Sequence, residues 1–514
     1  MMMRLTLTQA VTLLKEHDLL VKVVNPQVTE FTAVTYDSRH IPAGQPLFFC
    51  KGVGFKADYL AMAIDHGAVG YVATQAYEQP VTGIVVKDDQ KAMALLAAAF
   101  YDYPQNDLFI VGITGTKGKT TTAYFTHNAL TASAGPQTAL LSTLNTILGP
   151  QPDQTFKSHL TTPESLDLFA YMRQAVDNKM THLVMEVSSQ AYLKHRVYGL
   201  TFDVGIFLNI SPDHIGRNEH PTFANYLFCK EQLLVNARTC LINADMPYFA
   251  AVQQAAQTTT APERIFTFGQ TAPEVDFRYQ SVLSDLAESK FQLRAESPKA
   301  QALQVAGEYI ASVPGDYNEG NATAAVITAG LAGAKAAAIQ TALQKTHIPG
   351  RMEVLPTKGH GTVYVDYAHD YASVKRLVAF LRSQTPAGGK VIVVLGAPGD
   401  KGISRRPGFG KALSEERADE VILTTDDPGF EDPKAIADEI AAHIDPQKVG
   451  HVQYIADRAQ AIATAITMSH NDMVVIAGKG ADAYQKVKGQ DLPYPNDLVV
   501  AKQVIEKLGA QPEK

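Results

Sequence analysis

The chain has 514 residues, too many for one ordinary hydrophobic core, so about three domains are expected. Hydrophobic residues make up 46% of it, with 36 Gly and 27 Pro, which is ordinary for a soluble globular protein. The 45 Lys and Arg against 52 Asp and Glu give a formal charge of −7, and no long basic run is visible. This balance argues against a nucleic-acid partner.

Cysteine usage and the apolar segments indicate a cytoplasmic protein without membrane insertion. Cys50, Cys229 and Cys240 form neither a Cys-x-x-Cys pair nor a zinc spacing, so inert, partly buried thiols are expected. Charged residues at 15–18 interrupt the N-terminal apolar stretch, which argues against a secretory signal. The longest uncharged apolar stretch, 322–334, is too short to span a membrane and predicts a buried helix.

The first block, residues 1–106, is predicted to be a smaller N-terminal α/β domain. Residues 67–73 and 82–86 read as short strands, 91–100 as a helix, and 101–106 as a linker.

The central block, residues 107–349, alternates apolar runs with helical stretches, which favours a mostly parallel sheet covered on both faces. Strands are predicted at 181–187 and 204–210. Ligand sites in such sheets lie at the carboxyl ends of strands, where Glu186 and Asn209 fall.

The third block, residues 350–514, is predicted to be another open α/β domain of the Rossmann-like kind. Helical periodicity separates its buried-strand candidates, which are 361–367, 390–396, 420–424 and 472–478.

A glycine-rich run at 112–121 follows the apolar residues 108–111 and precedes a helix predicted from Ala123 onward. Glycines let backbone N–H groups close on phosphate oxygens, and a helix N-terminus adds partial positive charge. Lys119 supplies a point charge, and the Thr120 hydroxyl is suited to the Mg²⁺ of the nucleotide. Ile113 stands where the standard loop has a glycine, so the loop is a variant, but its chemistry predicts ATP binding.

Three further polar residues have both a structural and a functional interpretation. Glu186 could simply end a strand in solvent, with the following serines capping a helix, or it could bind Mg²⁺ together with Thr120. Because Glu186 follows a predicted ATP-binding loop in the same α/β block, the metal-binding interpretation is favoured. From the residues alone, His214 reads as a hydrogen-bonded structural group and Lys230 as a solvated surface lysine.

A family resemblance changes those interpretations. It is carried in order by 115–121, 161–164, 185–189, 209–214, Lys230, Asn318 with Asn321, 349–353 and 365–369. Together these segments resemble the Mur ligases of peptidoglycan synthesis over almost the whole chain. Residues 36–39 and 426–429 resemble the MurE subgroup, the UDP-MurNAc-tripeptide synthetases, in its L-lysine-adding branch.

The resemblance implies the nucleotide and metal residues. The ATP triphosphate would be held by Gly115, Thr116, Lys117, Gly118, Lys119, Thr120 and Thr121. Adenine, ribose or the γ-phosphate would be contacted by Asn318, Asn321, Arg351 and Asp366. Thr120 and Glu186 would bind one Mg²⁺ and His214 a second. Lys230, carbamylated by CO₂, would become an anionic metal bridge. Catalytic roles would fall to Lys119, His214 and Lys230.

The resemblance also implies the substrate residues and the reaction. Contacts to UDP-MurNAc-L-Ala-D-Glu would come from Ser38, Thr161, Thr162, Ser188 and Arg196. The amino acid would be bound by Lys401, Asp426, Asp427, Pro428, Gly429 and Asp482. The D-Glu γ-carboxylate would attack the γ-phosphoryl group of ATP, giving an acyl phosphate and ADP. The incoming amine would then displace phosphate, in a protein expected to act as a monomer.

Departures from the family pattern bear on the amino acid added. Diaminopimelate-adding relatives carry an Arg where Gly429 stands, and that Arg grips a distal carboxylate. Lys194 replaces their Gln, Lys401 their Arg and residues 481–482 their His-Glu, while residues 370–371 replace a usual Thr-Pro.

An acidic pocket without that Arg favours a side chain ending in an ammonium, so L-lysine is expected, with L-ornithine next. A pairing of Lys401 with a carboxylate keeps meso-diaminopimelate as an alternative.

Two other functional classes stay open at this point. One is another amide ligase of the superfamily, of the MurF or folylpolyglutamate type, against which residues 36–39 and 426–429 argue. The other is a non-catalytic ATP-binding scaffold, which would be expected to lose metal-binding residues that this chain retains.

The first prediction concerns Lys119. Lys119→Ala is expected to reduce ADP production below about 1% of the unchanged enzyme, because the charge that acts on the phosphates is lost. Circular dichroism should show an intact fold. ADP production close to that of the unchanged enzyme would refute the ATP-site assignment.

Overall fold

The computed structural model describes residues 3–133, 137–216, 219–285, 288–315, 317–400, 402–403 and 405–509. Two compact units are present. The first comprises residues 1–280, 292–309 and 320–344, and the second comprises residues 281–291, 310–319 and 345–514. The predicted boundaries of three domains stay a prediction. Lys401 lies outside the described residues.

The N-terminal part of the first unit is built on a small mixed sheet. Its strands are β2 (Leu20–Val24), β4 (Ala33–Thr35), β5 (Pro46–Phe49), β6 (Gly70–Ala73) and β7 (Thr82–Val86). Strands β1 (Leu5–Thr6) and β3 (Glu30–Phe31) form a separate antiparallel pair. Its helices are α1 (Leu7–Glu16), α2 (Ala57–Asp65) and α3 (Asp89–Phe100). The sheet order is β2-β7-β6-β5-β4, with β4 to β7 parallel and β2 antiparallel. A short 3₁₀ helix, Pro104–Asp107, occupies the predicted linker.

An eleven-stranded, mostly parallel sheet forms the centre of the chain. Its strands are β8 (Phe109–Thr114), β9 (Thr138–Leu141), β10 (Asn145–Ile147), β11 (Thr155–Lys157), β12 (His182–Glu186), β13 (Phe202–Phe207), β14 (Ala237–Asn243), β15 (Ile265–Gly269), β16 (Phe277–Ser284), β17 (Ser289–Ala295) and β18 (Gly307–Ala311). Their order is β11-β10-β9-β12-β8-β13-β14-β15-β16-β17-β18.

Helices cover this sheet, as the apolar strands require. They are α4 (Lys119–Thr131), α5 (Ser165–Asp177), α6 (Ser189–Leu193), α7 (Phe223–Val235), α8 (Phe249–Gln257), α9 (Pro298–Gln301), α10 (Tyr317–Leu331) and α11 (Ala336–Lys345). Strand β8 lies between β12 and β13 in parallel register, with Glu186 opposite Ile113 and Phe207 opposite Thr114. The carboxyl ends of these three strands therefore meet at one edge, where the glycine-rich loop begins.

The helix after that loop begins earlier than predicted, at Lys119 rather than near Ala123. Gly118 adopts a left-handed conformation with φ +84° and is the N-cap of α4. The loop therefore ends at Gly118, and the next residue is already helical. The threonine-rich sequence that follows, which has a low helix propensity, obscured this start.

The C-terminal part of the chain, within the second unit, contains a six-stranded sheet. The strands of this region are β19 (Glu353–Leu355), β20 (Thr362–Asp366), β21 (Val391–Leu395), β22 (Glu420–Leu423), β23 (His451–Tyr454), β24 (Met473–Ala477), β25 (Tyr484–Val487) and β26 (Gln490–Pro493). Its helices are α12 (Tyr371–Gln384), α13 (Arg405–Glu415), α14 (Pro433–Ala441), α15 (Arg458–Met468) and α16 (Asp497–Gly509). The sheet order is β19-β20-β24-β21-β22-β23, parallel except for β19, and β25 pairs with β26 as a separate hairpin.

The structure describes the three cysteines and the length of the apolar helices. Cys50, Cys229 and Cys240 are buried thiols. Burial raises the pKa of the Cys240 thiol to about 11, so it is unreactive at neutral pH, as expected for an inert cysteine. Within the described ranges, no helix combines the length and the apolar character needed to cross a membrane.

A buried ion pair gives a stability prediction for the second unit. Arg458 pairs bidentately with Asp497 at 2.7 Å, and both side chains are almost fully buried. Asp497→Asn is expected to lower the free energy of unfolding by about 3–5 kcal/mol, because it leaves the guanidinium charge buried without a counter-ion.

The matched control is Asp491→Asn, at an exposed carboxylate 3.8 Å from Lys486 Nζ, with an expected change below about 1 kcal/mol. Urea unfolding of both variants measures the difference. Equal effects would contradict the prediction.

Candidate active site

The glycine-rich loop is held against the carboxyl end of β13. The backbone N–H of Lys117 donates to Asn209 Oδ1 at 2.9 Å, and the N–H of Thr116 donates to the Asn209 carbonyl at 3.1 Å. Thr116 Oγ1 also lies 3.1 Å from Tyr226 Oη. These bonds fix the loop without using the N-terminus of α4, whose first N–H groups are the anion-binding groups of such a turn.

Two lysines meet at one carbonyl oxygen of the loop. Lys119 Nζ and Lys230 Nζ each donate to Gly115 O at 2.8 Å. Lys230 lies on α7 and is only 2% exposed, so its interpretation as a solvated surface lysine is wrong. Burial, and secondarily the charge of Lys119, hold the pKa of Lys230 well below its usual range. This site therefore favours the neutral amine of Lys230.

Glu186 is fully buried at the end of β12, which rules out the interpretation that it ends the strand in solvent. Its two carboxylate oxygens accept from the Thr143 N–H at 2.7 Å and the Thr143 hydroxyl at 3.0 Å. Thr120, on the first turn of α4, is also buried. A carboxylate and a hydroxyl beside a phosphate loop are oxygen donors of the kind that Mg²⁺ prefers.

His214 lies in the loop after β13, and its side chain is 42% exposed. Its Nδ1 lies 2.7 Å from Glu219 Oε1. Across the described residues, no group of three or more His, Cys, Asp or Glu side chains is arranged to hold a metal ion. The donors near the loop consequently fit Mg²⁺ only where phosphate oxygens complete its coordination, as with a bound nucleotide.

The predicted UDP-substrate residues of the central sheet lie around Glu186. Thr162 Oγ1 donates to the Glu186 carbonyl at 2.9 Å and accepts from the Ser188 N–H at 3.0 Å. Thr161 Oγ1 lies 3.1 Å from the hydroxyl of Thr143. The structure thus brings Thr161, Thr162 and Ser188 together.

Arg196 has a carboxylate partner that the sequence did not predict. Its Nη2 and Nε donate to Glu164 Oε1 at 2.8 and 3.1 Å, and Lys51 Nζ lies 3.2 Å from the other oxygen. The two cations hold the pKa of Glu164 below its usual value against the effect of burial. Ser38 is buried in the N-terminal region, and its carbonyl lies 3.0 Å from His66 Nδ1. A substrate role for these residues stays a prediction.

In the second unit, the predicted nucleotide residues Arg351 and Asp366 lie in neighbouring segments. Asp366, the last residue of β20, accepts a hydrogen bond from the Met352 N–H at 2.9 Å. The Arg351 guanidinium lies over the Tyr367 ring, 4.8 Å from its centroid. Burial raises the pKa of Asp366, and the charge of Arg351 opposes that shift. Asn318 is buried and donates to the Pro314 carbonyl at 2.7 Å. Asn321 belongs to the first unit, where its amide oxygen lies 3.4 Å from Thr122 Oγ1.

The predicted amino-acid loop contains a buried cation that the charge argument from sequence did not include. Lys479 Nζ, 1% exposed, lies 2.7 Å from Asp427 Oδ1 and 3.9 Å from Asp426 Oδ1. Burial raises the pKa of Asp426, which Lys479 and Arg458 oppose. The Asp482 N–H donates to the Lys479 carbonyl at 2.9 Å. The acids of this loop are thus partly neutralised.

Gly429 has a steric reason to be glycine. Its φ is +59°, and a Cβ built there would overlap the Asp400 carboxylate. That carboxylate accepts from the Phe430 N–H at 2.7 Å. The adjacent Pro428 carbonyl packs against Gly399 so closely that a Cβ on Gly399 would overlap it. A side chain at position 429 would therefore carry backbone strain and displace the Asp400 carboxylate.

Comparison with known proteins identifies the family. The Mur ligase middle domain matches residues 113–329, and the Mur ligase glutamate ligase domain matches residues 350–480. The chain belongs to the Mur ligase family. It is 60% identical to the UDP-N-acetylmuramyl-tripeptide synthetase of Limosilactobacillus reuteri, over 98% of this chain and all of that protein.

Another relative of this Mur ligase is the UDP-N-acetylmuramoyl-L-alanyl-D-glutamate–L-lysine ligase of Enterococcus faecalis, 48% identical over 96% of this chain and 97% of that one. Two solved structures share its fold. A UDP-N-acetylmuramoyl-L-alanyl-D-glutamate–2,6-diaminopimelate ligase has a TM-score of 0.65 at 24% identity, covering 97% and 99% of the chains. MurF from Acinetobacter baumannii has a TM-score of 0.63 at 19% identity, covering 97% and 98%.

The predicted family, α/β fold and reaction class are confirmed. This Mur ligase is an ATP-dependent ligase of peptidoglycan synthesis that acts on small molecules, and Mg²⁺ is typical of its family. The individual site residues, the carbamylated lysine and the number of metal ions stay predictions.

The loop geometry generates a prediction about Gly118. Gly118→Ala is expected to weaken ADP binding at least about tenfold, because the new Cβ would overlap Asn321 Oδ1 and distort the phosphate turn. The control is Gly333→Ala, where φ is +87° and a Cβ meets nothing within 4 Å. Gly333 lies between α10 and α11, outside the glycine-rich loop, so calorimetry should show ADP affinity unchanged there. Equal losses in both variants would show a general effect on the protein rather than a local effect on the loop.

Proposed function

We propose that this Mur ligase adds L-lysine to the D-Glu γ-carboxylate of UDP-MurNAc-L-Ala-D-Glu at the expense of ATP, through an acyl phosphate. The observation that carries the choice of amino acid is Gly429, a glycine in a left-handed turn with φ +59°. This position therefore supplies no guanidinium to pair with a distal carboxylate. The Enterococcus faecalis relative, named for L-lysine, supports the same choice.

The absence of a guanidinium at position 429 has more weight than the negative charge of the acids nearby. Lys479 lies between Asp426 and Asp427, so these two acids do not form a purely negative pocket. A distal carboxylate would still lack a positioned guanidinium partner, and an unpaired buried carboxylate is costly. L-ornithine, shorter by one methylene, remains the second candidate, with meso-diaminopimelate third.

For the nucleotide, we propose that residues 115–121 hold the triphosphate, with Thr120 and Glu186 holding one Mg²⁺ and His214 a second. When bound, Mg²⁺ neutralises phosphate charge between two polyanionic reactants. Lys119 exchanges its carbonyl partners for phosphate oxygens, and α4 directs its N-terminal N–H groups at them. The ordered loop thus aligns the phosphate for in-line attack by the carboxylate.

Carbamylation of Lys230 follows from the state of its amine. Only an unprotonated amine attacks CO₂, and burial beside Lys119 favours that form. An N–C bond forms between Nζ and CO₂ and the nitrogen loses a proton to solvent, so a neutral amine would become an anionic oxygen donor suited to Mg²⁺. The same proposal includes a cytoplasmic monomer with domains at 1–106, 107–349 and 350–514.

The decisive assay compares initial rates of ADP release with L-lysine, L-ornithine and meso-diaminopimelate at equal concentration on UDP-MurNAc-L-Ala-D-Glu. L-lysine should be fastest, with L-ornithine slower by about 10- to 200-fold, the range for one methylene. Reactions lacking acceptor or amino acid are the controls. A clear preference for meso-diaminopimelate would overturn the assignment, and ADP release independent of both substrates would indicate a scaffold or uncoupled ATPase.

Lys230 gives an independent prediction. Lys230→Ala is expected to lose activity at least about 100-fold, with partial recovery in formate or acetate, since a small carboxylate can occupy the vacated anionic position. Lys230→Arg is the control, because its permanent cation fills the space and should block recovery. Rescue of both variants, or of neither, would count against a carbamate.

A further inference from the structure

His220 is a fully buried imidazole that uses both of its nitrogens. Its Nδ1 lies 2.8 Å from Asn225 Oδ1, and its Nε2 lies 2.8 Å from Ser189 Oγ. An amide oxygen only accepts, so Nδ1–H donates to Asn225 and Nε2 accepts from the Ser189 hydroxyl. Burial, the largest cause, lowers the pKa of His220, which favours the neutral imidazole over the cation.

The two side-chain partners of His220 lie on separate segments of the proposed metal site. Ser189 begins α6, three residues after Glu186 at the end of β12. Asn225 lies in the first turn of α7, the helix that carries Lys230. One imidazole therefore joins the strand end of the proposed carboxylate ligand to the helix of the buried lysine.

The backbone of His220 joins a third segment. Its N–H donates to the His214 carbonyl at 3.0 Å, and its carbonyl accepts from the Gly216 N–H at 3.1 Å. The loop that carries His214 is closed at this point by residue 220. The imidazole ring also packs edge-on against Tyr226, with ring centroids 5.2 Å apart.

Tyr226 extends this contact to the phosphate loop and to the lysine. Its hydroxyl lies 3.1 Å from Thr116 Oγ1, and Lys230 Nζ lies over its ring, 4.9 Å from the centroid. His220 itself is buried, with both nitrogens engaged, so it is not placed to react with substrate.

We infer that His220 is a positioning residue whose imidazole holds the segment that follows Glu186 and the helix that bears Lys230 in the arrangement that receives the divalent cation of the nucleotide. Its backbone closes the loop that bears His214. The inference rests on the proposed metal roles of those three residues. It is independent of which amino acid the enzyme adds. Removing the imidazole releases α6 and α7 from each other and leaves Ser189 and Asn225 without their buried partner.

The test measures Mn²⁺ binding in the presence of a non-hydrolysable ATP analogue by electron paramagnetic resonance, without any amino acid. Mn²⁺ stands in for Mg²⁺. His220→Ala is expected to weaken Mn²⁺ binding at least about tenfold, in the range seen for residues that orient metal ligands. In turnover assays, the Mg²⁺ concentration for half-maximal rate should rise similarly. The KM for the amino acid should change less than about twofold.

Two variants keep the test valid if His220→Ala fails to fold. Asn225→Ala removes one of the two hydrogen bonds and should weaken Mn²⁺ binding in the same direction by a smaller factor. His220→Gln, which can replace one of them, should recover part of the affinity. Wild-type Mn²⁺ affinity in Asn225→Ala and in whichever His220 variant folds would overturn the inference.

His127→Ala is the matched control. His127 is a half-buried imidazole that also bridges two groups, Asn128 Oδ1 at 3.1 Å and the Thr138 carbonyl at 3.0 Å. It lies on α4 two turns after Thr120, and its hydrogen-bond partners lie on neither α6, α7 nor the loop that bears His214. It should lose stability as His220→Ala does, yet keep Mn²⁺ affinity. Equal loss of Mn²⁺ affinity in both variants would show that His220 contributes only to the general stability of the protein.

Because the binding measurement contains no amino acid, it separates this inference from the proposed function. Failure of the L-lysine assay with a selective loss of Mn²⁺ affinity in His220→Ala would overturn only the choice of amino acid. The opposite pattern would overturn only the role of His220.

Discussion

The carbonyl oxygen of Gly115 accepts hydrogen bonds from two lysine side chains, one from α4 and one from α7. Two ammonium groups cannot share one acceptor in a buried site without mutual repulsion, so one amine loses affinity for its proton or an anion must join them. Burial first, and the charge of Lys119 second, lower the pKa of Lys230, which is the first response. A polyphosphate bound in the proposed phosphate loop would supply the second. The protonation of Lys230 and the attraction of the loop for anions both depend on this contact between two lysines.

The parallel sheet positions the loop on which the two lysines converge. Strand β8 leads into the loop between β12 and β13, and the register of the three strands sets Glu186 and the loop that begins at Leu208 beside the glycine turn. Buried strands are rigid, and their polar ends are satisfied by hydrogen bonds, as with Glu186 and Thr143 or Asn209 and Lys117. The arrangement is fixed before any ligand arrives, which is how electrostatic catalysis is built.

The proposed amino-acid loop of the second unit has a different electrostatic balance. A buried lysine partly neutralises its acids, and Gly429 adopts a left-handed conformation beside the Asp400 carboxylate. The negative charge of this loop is therefore weaker than the residue types suggest. The glycine at position 429 supplies no cation for a second carboxylate.

The sequence by itself determined the α/β class, most strand positions and the family, and it predicted the phosphate loop, because apolar runs, glycine-rich turns and ordered motifs are local patterns. It placed Glu186 and Asn209 at strand ends correctly. The exact start of α4 was not readable, since a left-handed Gly118 ends the loop inside a threonine-rich run.

Only the tertiary structure decided which charged groups meet. Lys230 reaches Gly115 across 115 residues, Glu164 reaches Arg196 across 32, and Lys479 reaches Asp427 across 52. No local pattern encodes such pairings, because burial and partner are properties of packed surfaces rather than of a residue and its neighbours in sequence. From its sequence neighbours, Lys230 would be a solvated cation. Burial in the folded protein and the nearby charge of Lys119 lower its pKa.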